Sequence, residues 1–182
     1  MCQWRPAMDH DSLYETDICT WAEQQATALR RLASRTDLPN ELDLLNVVEE
    51  IEDVGISQLR SVNSFMRLIM SHIILIAVDA DADSINHWTR EVATFRGELV
   101  QSWQRSMRQR IDMDQIWRHA VEEATMKLST YPGNGIAFNA DGIMGRLGSV
   151  SLFGIDDLCG ESFKFHDLVA RFRAHFATEG AG

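Results

Sequence analysis

The sequence predicts an all-α fold: a helical bundle of about five main helices, then a Gly-rich C-terminal segment and a short terminal helix. Three observations predict it. Apolar side chains recur three and four residues apart through most of the chain up to Leu128, polar residues suited to helix capping stand ahead of these runs, and no run alternating with period two has a partner strand. The expected division is a helical bundle domain over residues 1–130, with residues 131–182 a loop-rich extension packing on the same domain.

The elements follow in order. Ser12 and Glu15 have capping-box spacing, and Tyr14, Ile18, Trp21, Ala22, Leu29, Leu32 and Ala33 recur at helical intervals, predicting a first helix over 12–34. Residues 36–41, with Pro39 and Asn40, break the pattern. Asp43 is placed to cap a second helix whose apolar face is Leu44, Leu45, Val47, Val48, Ile51 and Val54, with Gly55 as its stop or kink. Leu59, Val62, Met66, Ile69, Ile73 and Ile76 form the seam of a third. Asp79, Asp81 and Asp83 then make a polar turn, and Ser84 is placed to cap a fourth helix carrying Trp88, Val92, Phe95, Leu99 and Trp103. Asp112 or Asp114 caps a fifth, with Ile116, Trp117, Ala120, Val121, Ala124 and Leu128 inward. From Tyr131 to Gly160, Pro132 and seven glycines mark loops, and residues 150–153 resemble a strand only in isolation. Phe163, Phe165, Leu168, Val169, Phe172 and Phe176 predict the terminal helix, and residues 178–182 read as a frayed end.

Composition narrows the classes of function. With 45% hydrophobic and 24% charged residues, the 182-residue chain has the makings of an ordinary globular core. A formal net charge of -10 repels phosphate backbones, which argues against nucleic acid as a partner. The one basic stretch, Arg90, Arg96, Arg105, Arg108 and Arg110, spreads around its helix beside Glu91, Glu98 and Asp112. Cys2, Cys19 and Cys159 are odd in number and form no C-x-x-C pair, so reduced thiols in a cytoplasm are expected. No secretory leader is read in residues 1–11, and the apolar stretch at 68–78 falls short of the ~20 residues that span a bilayer, so no membrane association is expected.

Three stretches, in order, resemble a bacterial family known as domain of unknown function family twenty-nine. The first is residues 14–21, with Tyr14, Asp17 and Trp21 at matching offsets. The second, residues 42–55, includes Leu42, Asp43, Glu49, Glu50, Glu52, Asp53 and Gly55 and is similar to the family's most distinctive segment. The third is residues 68–74, a Leu-rich segment centred on His72, with Trp88 and Arg90 after it. The resemblance covers about residues 14–128 and implies a small, all-helical, cytoplasmic protein without an assigned reaction. Residues 75–79 depart from the family's continuation after the His, and the glycine-rich segment past Tyr131 departs from its usual tail.

No catalytic motif is complete. The cluster Glu49, Glu50, Glu52 and Asp53 lacks the His three residues after a Glu that a di-metal bundle uses, so a solvated face with ion pairs to Arg67 or Arg90 is expected. His72 stands in an apolar stretch, and Glu49 or Glu52 is the expected partner for its ring N–H. Asp79, Asp81 and Asp83 open like a calcium loop, but Ser84, Asn86 and Arg90 occupy the positions that need Gly, an aliphatic residue and Glu. There is no nucleophile elbow and no phosphate loop, and four of the five tryptophans fall in phase with a helix face. The reading is therefore a non-enzymatic protein–protein interaction module, with a protein partner or self-association and neither cofactor nor metal. The alternative is an enzyme or metal-binding protein with a carboxylate/His site at Glu49, Glu52, His72 and Arg90.

Overall fold

A computed structural model describes residues 10–35, 37–39, 41–78, 82–130, 147 and 150–178. Trp4, Cys2, Asp79, Asp81, the side chain of Asp83 and nearly all of residues 131–149 lie outside the described residues, and with them the calcium-like turn and most of the glycine-rich segment. Among the described residues the regular structure is helical, and residues 150–153 are not a strand.

The single helix expected over 12–34 is two, α1 (His10–Thr16) and α2 (Ile18–Ala33). Asp17 separates them with non-helical backbone angles, φ -150 and ψ 76. Its carboxylate accepts from the Thr20 N–H at 3.0 Å and from the Thr20 hydroxyl at 2.9 Å. Asp17 thus supplies the cap that the spacing assigned to Ser12, which lies inside α1. Tyr14 and Trp21 meet edge to face across the corner, with centroids 4.8 Å apart.

The second and third expected helices are one, α3 (Leu44–Val78), and Gly55 does not stop it. Asp43 caps it as expected, accepting from the Asn46 N–H at 3.3 Å. Gly55 is buried against α2: the Cys19 thiol donates to its carbonyl at 3.4 Å, and Cys19 Cα lies 3.5 Å from where a Cβ would stand. Packing of this kind outweighs the ~1 kcal/mol that a mid-helix glycine costs. Residues 69–76 are buried on every side, including Ser71 and His72, as a central helix requires. An 18-residue window of α3 is long and apolar enough to cross a membrane, and 56% of that window is buried within the fold.

Two compact units share the chain, and α3 passes from one into the other. The first comprises Met1–Ser61 and Gln104–Gln109, the second Val62–Trp103 and Arg110–Gly182. In the second, α4 (Ala82–Ser102) buries Val92 and Leu99, and Ser84 falls within its first turn instead of capping it. A 3-10 helix, Arg105–Arg110, follows that periodicity did not foresee, and it buries Met107. Asp112 caps α5 (Met113–Thr130), accepting from the Gln115 N–H at 2.9 Å. A five-residue helix, α6 (Ile155–Cys159), lies inside the stretch read as loop, and the terminal helix is α7 (Phe165–Thr178).

These C-terminal elements pack into the second unit through aromatic contacts. The buried Trp117 ring meets Phe153 at 5.7 Å and Phe172 at 6.4 Å, and its N–H points to the Leu147 carbonyl at 3.4 Å. Arg173 donates to the Ile76 and Ala77 carbonyls, each at 3.1 Å, closing the C-terminal end of α3. Arg96 reaches from α4 to the Gly160 carbonyl at 2.8 Å and stands over the Phe163 ring at 5.2 Å.

Candidate functional site

One group of polar residues in the second unit links α3 to α4 and to α5. His72 is 3% exposed; its Nδ1 lies 2.7 Å from the Leu68 carbonyl and its Nε2 lies 2.9 Å from a Glu91 carboxylate oxygen. Glu91 is therefore the ring's carboxylate partner, in place of Glu49 or Glu52. His87, one turn before Glu91 on α4, approaches the same oxygen at 3.5 Å. Phe95 closes on the imidazole edge to face, with centroids 5.3 Å apart.

Both neighbours of the ring accept hydrogen bonds, and only the doubly protonated ring donates to both at once. Burial opposes that charge and is the largest influence, and Lys127 adds repulsion, while the Leu68 carbonyl and Glu91 favour the proton. The balance holds the His72 pKa below its ordinary 6.5. His72 is poised between what its neighbours ask of it and what its burial allows.

A second cluster adjoins the first. Arg67 of α3 pairs with Glu123 of α5, which also accepts from Lys127 one turn on, at 3.0 Å. Burial lowers the Lys127 pKa, Arg67 lowers it further, and Glu91 acts the other way. Charges alternate from Arg67 through Glu123 and Lys127 to Glu91, ending on His72. Each formal charge has an opposite neighbour, the condition for keeping such groups partly buried.

The other sequence candidates lie elsewhere. Glu52 pairs with Arg30 of α2 in the first unit, Glu49 is exposed on α3, and Arg90 is exposed on α4. Glu52 and His72 are twenty residues apart in α3 and fall in different units. The ion pairs expected between the acidic cluster and Arg67 or Arg90 are replaced by Arg67 with Glu123 and Arg30 with Glu52. Glu123 and Lys127 went unnoticed in the sequence, although their four-residue spacing on a helix was a legible signal. Among the described residues, no group of three His, Cys, Asp or Glu side chains is arranged to hold a metal ion. A cleft of about 580 Å³ opens at α6 and α7, lined in part by Asp157, Lys164, Asp167 and Arg171, and none of the candidates borders it. Cys19, buried, and Cys159, half-buried, are not joined in a disulfide.

Fold and site together define an all-helical protein with a buried histidine paired to a carboxylate across two helices. The chain belongs to the family described as Domain of unknown function DUF29, which matches residues 13–137. It is also similar to an alpha-helical protein of unknown function from Rhodospirillum rubrum, whose crystal structure superposes with a TM-score of 0.73. The two are 34% identical, over 87% of this chain and 96% of the other. No curated protein matches the chain.

Proposed function

We propose that this chain is a non-enzymatic protein–protein interaction module, and that the first half of α3 is the surface it presents. The observation that carries this reading is the exposure of four large apolar side chains there: Leu45 at 69%, Ile56 at 43%, Val54 at 41% and Val47 at 40%. At 100° per residue, Leu44, Val48 and Gly55 form the buried stripe, with Leu45 and Ile56 on one flank and Val47 and Val54 on the other. Single exposed apolar residues are ordinary, but a half-helix whose apolar arc is wider than its covered stripe is the pattern of a contact surface. The enzyme reading draws less support, because His72 is enclosed with both ring nitrogens engaged.

A photocrosslinking residue in place of Leu45 tests this, with a second in place of Met126 on α5, which is equally exposed at 70%. Crosslinks from position 45 to a defined protein or to a second copy, and none from position 126, are the expected result. Equal labelling from both positions, or none from 45, overturns the reading.

A further inference from the structure

The exposed flank of α3 has a chemistry of its own. Residues 41–56 hold Glu41, Asp43, Glu49, Glu50, Glu52 and Asp53, with no lysine or arginine. Asp43 is engaged as the cap of α3 and Glu52 by Arg30. Glu49, Glu50 and Asp53 are exposed, and no partner for them is found among the described residues. Leu45, Glu49, Asp53 and Ile56 follow one another at four, four and three residues, so they make one stripe about three turns long. Its two ends are apolar, its middle is twice negative, and the end residues stand roughly 16 Å apart along the axis.

We infer that this stripe docks a basic amphipathic helix of another protein, which sets aliphatic side chains on Leu45 and Ile56 and lysines or arginines against Glu49 and Asp53. The inference rests on the interaction reading and names its partner. Charge complementarity selects this occupant over a second copy of the chain, which brings the same two carboxylates to the same place and meets them as like charges. A partner helix that matches the stripe would carry its aliphatic side chains eleven residues apart, the spacing of Leu45 and Ile56.

The probe is a fluorescent 18-residue amphipathic peptide of leucine and lysine, with a leucine and glutamate peptide of the same pattern as its counterpart. Anisotropy titrations with the full chain are expected to show the lysine peptide binding, weakening as salt rises, and the glutamate peptide not binding. Glu49→Lys with Asp53→Lys, and separately Leu45→Ser with Ile56→Ser, are each expected to weaken binding by about tenfold or more, as loss of an interface anchor does. Glu98→Lys with Glu122→Lys makes the same change in net charge on exposed positions of α4 and α5 and is expected to leave binding unchanged. Circular dichroism melts confirm that each variant is folded.

An equal loss in the Glu98 and Glu122 variant overturns the proposal, because attraction to net charge then explains the binding. Binding that appears only after removal of residues 1–9 also overturns it, and assigns the flank to the chain's own N-terminus. If the lysine peptide fails while position 45 still crosslinks to a second copy or a neutral protein, the interaction reading survives and the basic partner falls. If position 45 crosslinks to nothing and no peptide binds, both fall.

Discussion

His72 carries one turn of α3 into a place where an imidazole needs a reason to be. Its pKa is held below 6.5, chiefly by burial, so the folded state binds a proton less readily than the unfolded chain. The resulting stability is complete above the unfolded value and drains away as pH falls below it. Urea unfolding of the wild type is therefore expected to give a midpoint that declines from pH 7 to pH 5. In His72→Leu that slope flattens, while the loss belonging to the depressed Asp157 carboxyl, below about its ordinary 3.8, persists. An unchanged slope in the variant refutes the assignment.

Gly160 shows how a single position is set by space alone. A Cβ there would stand 2.4 Å from the Asp156 carbonyl oxygen, the oxygen that its own N–H meets at 3.0 Å. Gly160→Ala is expected to destabilise the fold by roughly 1–3 kcal/mol, as overpacking does, read as a drop in the urea midpoint. Neither case was legible in the sequence. His72 was visible as a polar residue in an apolar run, but which carboxylate answers it depends on which helix lies alongside.

At the scale of the element, caps were more legible than breaks. Asp43 and Asp112 act where their spacing placed them, because a cap needs only a carboxylate three residues ahead of an N–H. The break at Asp17 was hidden by Ser12 and Glu15, a second plausible start nearby. Asp17→Ala removes both acceptor contacts to Thr20 and is expected to cost about 1 kcal/mol in unfolding free energy. Gly97 predicts the opposite sign. It is exposed in mid-α4 with nothing within 4 Å of where a Cβ would stand, so Gly97→Ala is expected to stabilise by about 0.5–1 kcal/mol. Thermal melts of the two variants decide both cases.

For the whole molecule, burial along α3 is uneven in a way that exchange kinetics can read. Amides of residues 69–76, enclosed on all sides, are expected to exchange only through the largest unfolding events, and those of residues 45–57, open on two flanks, through smaller ones. Hydrogen exchange by mass spectrometry checks this, and equal protection along α3 contradicts it.

The sequence by itself determined that the chain is helical, where the apolar stripes run, that Asp43 caps α3 and that Asp112 or Asp114 caps α5, because these depend on spacing within a few residues. The tertiary structure decided that Gly55 lies inside one long helix, that α3 passes from one compact unit into the other, and that His72 answers to Glu91 and Arg67 to Glu123. Those outcomes depend on which faces of distant segments meet, and a 3.6-residue period reports that a face exists without saying what it will touch. The same limit applies to Leu45 and Val54: their periodicity marked them as apolar face, and only packing left them uncovered.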